Sequence, residues 1–390
     1  MNAATIEALS AALASRTQAM LDSIRELVEQ NSHTGNKAGG DAVADLLNAK
    51  ASALGLAVER IQSQRFADHL VFSTPLSKQS AEGAIVFVGH HDTVFPPGSF
   101  EGFSQDGGIA RGPGVLDMKG GIVVMLEAVR AVALAGGLDR LKLRIVLVGD
   151  EEVGSPEGRG IIQAHSQGAA SALVFEAGRA SDKIITSRKG TGSAKVVATG
   201  KAAHAANGHR EGVNAIWALA RFIDRAQRLT DYDRGVTVNV GIIRGGEAKN
   251  TVPDSAECQI DFRFVKLADA EATYQALTKA CDEASLEVPG SRLEISGGPQ
   301  RLPLERTEAN IELCHRYGSE ASAVGLGSEE AALIAGGSDA SSTAAIGIPS
   351  IDGLGPRGTG FHTKEELIEI ATLEPKALAL ARFLWKHGGC

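Results

Sequence analysis

Long apolar runs are absent from this 390-residue sequence. No stretch approaches the ~20 residues of a membrane span, so a spanning protein is not expected. Runs of Lys or Arg are absent too, and the net charge is −8. Neither nucleic acid nor an anionic membrane surface is therefore an expected partner. The first residues, Met1 to Glu7, carry no basic segment and no apolar stretch. No secretory leader is expected, and the cytoplasm is the expected compartment. Cysteine is scarce: Cys258, Cys281, Cys314 and Cys390 show no CxxC spacing. They read as free thiols of a cytoplasmic protein, not as a disulfide frame or a zinc knuckle. The Gly-rich loop over 111–121 has neither GxGxxG nor a Walker pattern, which argues against a dinucleotide or P-loop site there. Internal repeats and low-complexity segments are missing as well.

What is present is an ordinary globular composition, 43% hydrophobic and 22% charged. The length exceeds one compact core and suits two domains. The chain is organised around residues 85–94. Ile85 to Val88 reads as a short buried strand, and it ends in Gly89-His90-His91-Asp92. Side chains alternate along a strand, so His90 and Asp92 share one side and His91 takes the other. One imidazole and one carboxylate on the same side suit a metal site, and equally a polar turn.

Two further strands end in the same kind of residue. Leu141 to Gly149 is followed by Asp150, Glu151 and Glu152, and Ala172 to Phe175 by Glu176. Adjacent carboxylates repel one another unless cations hold them or solvent covers them. Backbone alternation would turn Glu151 and Glu152 to different sides. Sites in open α/β sheets are built at the carboxyl ends of strands. Between the first two strands, a Gly-rich loop carries Asp117 into the buried helical pattern from Ile122 to Val129. Asp117 reads as a helix cap or as a ligand.

Elsewhere the pattern predicts one or two helices over 3–30, a helix over 41–54, and short strands near 57–58 and 69–72. From Arg188 the order changes to strand, helix, two strands, helix and a last strand near 293–295, closed by Gly297-Gly298-Pro299. That order suggests a separate α/β sandwich on an antiparallel sheet. Helical patterning returns from Asn310, a short helix opens at Gly336 to Asp339, and a Gly-rich loop over 353–360 delivers Phe361-His362. A final helix is expected over 373–385.

Taken together, G-H-x-D-T-V, G-P-G-x-x-D-x-K-G-G, D-E-E-x-G-S, a strand ending in F-E, G-G-S-D-A and a Gly-rich loop into H-T resemble the M20 metallopeptidases. Within that family the chain looks most like glutamate carboxypeptidases. The resemblance spans essentially the whole chain. It implies a zinc-peptidase-like catalytic domain with a central mixed sheet, residues 1–186 and 300–390. It further implies an inserted, ferredoxin-like α/β sandwich over 187–299 that serves as lid and dimerisation domain. Two zinc ions are implied, with cobalt or manganese as alternatives. Asp117 would bridge them, His90 and Glu176 would complete one site, and Glu152 and His362 the other. Asp92 would orient His90, and Glu151 would act as general base on a water shared by the ions.

Gly200-Lys201-Ala202-Ala203-His204-Ala205 matches the family's G-K-x-x-H-A signature, which implies that His204 acts in a homodimer. Asn250 and Arg263 match substrate-contact motifs, Arg263 being a natural fork for a carboxylate. Lys183 and Arg301 fall, by spacing, where glutamate-releasing members place cations. Taken alone, His204 also fits a turn residue and Arg263 a solvated strand face. The expected activity is hydrolysis of the amide bond to a C-terminal residue, glutamate first, in a peptide or N-acyl conjugate. An N-acyl-amino-acid deacylase or dipeptidase is the alternative, and a metal-binding relative without catalysis the remote one.

Overall fold

The computed structural model describes residues 1–389; Cys390, expected to be a free thiol, lies outside them. The chain divides into two compact units. The first comprises Met1–Ser187, Arg306–Ile334 and the segment from Ser338 onward; the second comprises Arg188–Glu305 with Ala335–Gly337.

The first unit is built on a six-stranded sheet ordered Ala57–Ile61, His69–Ser73, Leu143–Val148, Ile85–His90, Ser171–Val174 and Ser350–Ile351. The first two strands run antiparallel to their neighbours and the last four run parallel to one another. Ile85–His90 and Leu143–Val148 are buried at every position. That is the mark of a sheet covered on both faces, and it explains their continuous β-branched and aliphatic sequence. Register brings the carboxyl ends level: His90 pairs with Val148, and Val88 with Val174.

Helices Ala3–Leu13, Thr17–Val28, Gly120–Leu134 and Leu373–His387 supply much of the apolar layer, with Leu9, Ile24, Val124 and Leu380 fully buried. Gly121 permits a close approach here. A Cβ at this position would stand 2.2 Å from the Phe175 carbonyl oxygen, so the helix packs directly on the chain leaving Ser171–Val174.

A small antiparallel sheet completes the unit, ordered Gly358–Thr359, Leu367–Glu369, Ile109–Arg111 and Ser104–Asp106. Its first two strands form a hairpin with His362 in the connection. Its third strand leads into the Gly112–Lys119 loop. Two segments some 250 positions apart in sequence, around Asp117 and His362, are thereby set side by side.

The second unit folds as strand Gly190–Thr199, helix Ala215–Gln227, strands Thr237–Gly245 and Ser255–Phe264, helix Leu267–Glu287 and strand Arg292–Arg301. The sheet order is Thr237–Gly245, Ser255–Phe264, Gly190–Thr199, Arg292–Arg301, all antiparallel, a ferredoxin-like arrangement. Alternation sets its faces: Val196, Ala198, Cys258, Ile260 and Phe262 are buried in the helix-covered core. Gly192 makes room for Phe262, whose ring would lie 2.0 Å from a Cβ there.

The last strand differs from the sequence expectation. It runs on through Gly297, Gly298 and Pro299 to Arg301, with a register irregularity after Pro299. The strand is at the sheet edge, where a proline's missing N–H costs no ladder bond.

Among the described residues, no helix is long and apolar enough to cross a membrane.

Candidate metal centre

The parallel strand ends, the Gly112–Lys119 loop and the small hairpin deliver two imidazoles and four carboxylates to one place. His90 Nε2 lies 3.1 Å from Asp117 Oδ1 and 3.8 Å from Glu176 Oε1. His362 Nε2 lies 3.3 Å from Asp117 Oδ2 and 3.1 Å from Glu152 Oε2. Asp117 thus stands between the imidazoles, one oxygen toward each. Donor atoms of His90, Glu151 and Glu176 lie within 4.8 Å of one another, as do those of His90, Asp117 and Glu152. His91 faces the other way, its Nε2 at 3.1 Å from the Asp68 carbonyl oxygen.

The electrostatics explain why these residue types are costly here without cations. Burial, then the Asp117 and Glu151 carboxylates, push the Glu176 carboxyl well above its usual range. Burial raises Glu152 to about 7 despite the His362 contact. Asp117 moves the other way: burial opposes its ionisation, but His362 and His90 hold it below the ordinary carboxylate range. Contacts to Asp117 and Glu152 lift the His362 imidazole to about 10. Crowded, half-neutralised carboxylates beside two imidazoles are the N and O donor set that a pair of divalent ions would satisfy.

Asp92 organises this centre from beneath. It is buried, with Oδ1 at 3.3 Å from His90 Nδ1. Its oxygens also accept the backbone N–H groups of Glu151 and Glu152 at 3.1 and 3.2 Å. Its contact with Nδ1 leaves His90 Nε2 as the nitrogen facing Asp117 and Glu176.

Glu151 and Glu152 are not on an extended backbone, as alternation had implied. They lie in a short helical turn, Glu151–Val153, and both carboxylates face the cluster. The first acid of the triplet turns away: Asp150 accepts the N–H groups of Glu157 and Gly158 at 2.7 and 3.0 Å. It thereby satisfies N–H groups at the start of the helix Gly158–Ser166. Asp117 is not a cap; it occupies an irregular turn, and the following helix has no side-chain cap.

Three supporting residues escape sequence reading. Thr34 donates its hydroxyl to Asp92 Oδ2 at 2.7 Å. Glu366, fully buried, accepts the N–H groups of Gly114, Leu116 and Asp117 at 3.1, 2.9 and 3.0 Å. Lys119, also buried, donates to the carbonyls of Leu27 and Gln30 at 2.9 and 3.1 Å, and burial lowers its pKa to about 7. The only sequence signal was a Glu four positions past His362 and a Lys two past Asp117, and neither reveals burial.

The remaining residues singled out in sequence lie away from this cluster in the chain. Lys183 belongs to the same unit and pairs with Glu329 at 3.1 Å. The others belong to the second unit. His204 is exposed, and its Nδ1 accepts the N–H groups of Ala206 and Asn207 at 3.2 and 3.3 Å. Asn250 is its neighbour: the Asn250 carbonyl accepts the Ala205 N–H at 2.9 Å. Arg263 forks onto Asp261, with two contacts of 2.8 Å. Arg263 and Arg301 both stand opposite Thr191 in register, which sets them on one face of the sheet.

Residues 186–289 match the peptidase dimerisation domain of the M20 family, and residues 70–232 match peptidase family M28. Carboxypeptidase G2 of Pseudomonas sp. (strain RS-16) is 29% identical over 377 residues, covering 95% of this chain and 89% of that protein. These matches support an M20 metallopeptidase. Aminopeptidase PepT of Bacillus cereus ATCC 10987 superposes with a TM-score of 0.80 at 22% identity, covering 95% of this chain and 98% of that one. A dinuclear metal-binding M20 peptidase of Bacillus subtilis superposes with a TM-score of 0.70 at 13% identity, covering 95% and 98%. The likeness extends over both units, and the two groups of N and O donors within 4.8 Å share His90.

Proposed function

We propose that the protein is a di-zinc hydrolase that cleaves the amide bond to a C-terminal amino acid, glutamate in the first instance, in a peptide or N-acyl conjugate. The observation that carries this reading is the position of Asp117, one oxygen at 3.1 Å from His90 and the other at 3.3 Å from His362. His90 and Glu176 would hold one ion, Glu152 and His362 the other, with Asp117 common to both. When bound, the ions would supply Lewis acidity that makes a water more acidic and polarises the amide carbonyl.

The protein's own groups do the rest. Glu151 accepts the proton of the attacking water and returns it to the leaving nitrogen. Asp92 keeps Glu151 in place through its backbone N–H and fixes the tautomer of His90. His204 accepts two backbone N–H groups at Nδ1, so Nε2 carries the proton and can donate to a developing oxyanion. Arg263 takes the substrate α-carboxylate once its fork leaves Asp261. The similarity to carboxypeptidase G2 supports the carboxypeptidase reading over a deacylase.

A homodimer belongs to the same proposal. In the second unit, the edge strand Thr237–Gly245 exposes Ile242 and Ile243 at 44% and 57%, and the helix Ala215–Gln227 exposes Ile216 and Trp217 at 39% and 56%. Exposed apolar residues along an unpaired edge suit a second copy of the chain. Cys258, Cys281 and Cys314 are buried and unpaired, which suits a cytoplasmic setting.

The test is amide hydrolysis by zinc-loaded protein on N-acyl-glutamate, N-acyl-aspartate and neutral N-acyl-amino acids, with Glu151→Gln as control. Turnover led by glutamate and lost in the variant is expected. Turnover of neutral substrates alone would move the assignment to a deacylase or dipeptidase. No turnover by fully metallated protein would leave a binding protein.

A further inference from the structure

The metal cluster is closed on most sides. His90 and Asp92 are 1% exposed, and Asp117 and Glu176 stay below 10%. Within this unit the opening is at His362, whose side chain is half exposed, and at Phe361, which is 40% exposed. A substrate reaching the cluster therefore meets the groups around these two rings. The Phe361 ring stands edge-on to the His362 imidazole at 5.5 Å. Over the Phe361 ring lies the guanidinium of Arg179, its central carbon 5.6 Å from the ring centroid.

Arg179 is three residues past Glu176, in a turn tied to the loop that delivers Phe361. Gly178 donates its N–H to the Pro356 carbonyl at 3.0 Å, and the Arg179 carbonyl accepts the N–H of Asp182 at 3.0 Å. The cation is thus placed by the same two segments that carry one carboxylate and one imidazole of the cluster. A guanidinium over a ring is restrained there, and its N–H donors form a rigid planar fork. That geometry matches a planar carboxylate.

We infer that Arg179, seated on Phe361 at the open side of the metal cluster, binds the side-chain carboxylate of an acidic C-terminal residue and sets the preference for glutamate over its uncharged isostere. The inference rests on the proposed amide hydrolysis and deepens it. It moves the contact from Lys183, which the sequence spacing suggested, to Arg179, which is adjacent to the centre. Phe361 is a positioning residue in this scheme, since it acts through the guanidinium.

The experiment compares kcat/KM for N-acyl-glutamate and N-acyl-glutamine bearing the same acyl group. The proteins are full-length and zinc-loaded: wild type, Arg179→Gln, Arg179→Lys, Phe361→Leu and Lys183→Gln. Zinc content and Tm are recorded for each. A charge-assisted contact predicts that Arg179→Gln lowers the glutamate-to-glutamine ratio about 10- to 100-fold, mainly through KM. Arg179→Lys should recover part of the ratio, since it keeps the charge and loses the fork. Phe361→Leu should lower the ratio less than Arg179→Gln.

An equal loss on both substrates in Arg179→Gln would overturn the inference, because it would mark a structural or α-carboxylate role. A fall of the ratio in Lys183→Gln but not in Arg179→Gln would overturn it in favour of the lysine. If Arg179→Gln does not fold, Arg179→Lys decides: an unchanged ratio there overturns the inference. A wild type that hydrolyses neither substrate would sink the functional reading itself. A wild type that prefers glutamate, with Arg179→Gln keeping that preference, would sink the arginine assignment alone.

Discussion

Glu366 shows how much of the centre depends on residues that never face it. Its carboxylate gathers three backbone N–H groups of the Gly112–Lys119 loop, including that of Asp117. Burial pushes its pKa up to about 7, while those three donors pull it back. Replacing it with Ala would leave three donors in a buried place without an acceptor, at roughly 1–3 kcal/mol each before relaxation. We expect Glu366→Ala to weaken metal binding at least tenfold in chelator competition and to lower Tm, with Glu366→Gln intermediate. Unchanged metal affinity would show that the loop holds Asp117 without it. Thr34 is the smaller counterpart. Thr34→Val removes one of the bonds to Asp92, and we expect a several-fold fall in kcat with little change in KM, read from steady-state kinetics.

Packing between elements turns local geometry into site geometry. The helix Gly120–Leu134 reaches the chain beyond Ser171–Val174 because Gly121 has no side chain, and that chain carries Glu176. The Phe175 carbonyl in the way is backbone and cannot rotate aside. Gly121→Ala should therefore push helix and strand end apart, costing about 1–3 kcal/mol in denaturant unfolding. Metal affinity should fall with it, since Glu176 moves. Equal stability and equal affinity to wild type would contradict that coupling. In the second unit the obstacle at Gly192 is the Phe262 ring, a side chain rather than backbone. A substitution there strains the core of that unit and spares the strand ends that carry the cluster.

For the molecule as a whole, acid stability and assembly are the accessible observables. Burial disfavours ionisation of Asp68, but Lys37 and Arg60, at 2.7 Å each, hold its pKa near 2 against the usual 3.8. Because the folded pKa is depressed, the unfolded chain binds the proton first as pH falls. The stabilisation is complete above pH 3.8 and disappears as pH drops through about 2. Asp68→Asn should thus cost about 1–2 kcal/mol at neutral pH, allowing for its part-exposed partners, and nothing at the acid end. Unfolding curves across that range would check it. For assembly, Ile243→Lys places a charge on the exposed edge strand. Against the proposed homodimer of the wild type, we expect the variant to sediment as a monomer with zinc content unchanged.

Composition and pattern were enough to establish an α/β chain of two parts, because strands such as Ile85–His90 and Leu143–Val148 are buried on both faces and read as unbroken apolar runs. The ligand-type residues stood out for the same reason, as polar groups at the ends of those runs. Resemblance then assigned each a partner. Sequence could not show that Asp150 leaves its triplet to accept N–H groups at the start of a helix, since one backbone turn decides which acid faces inward. It could not show Glu366, Lys119 or Thr34 as supports, because each looks like an ordinary surface residue until the chain closes around it. Nor could it prefer Arg179 to Lys183, since that choice depends on a ring 182 positions further along coming to lie under one guanidinium. Local pattern determines which elements form; only packing decides which buried charges meet, because their energies depend on neighbours brought from distant sequence.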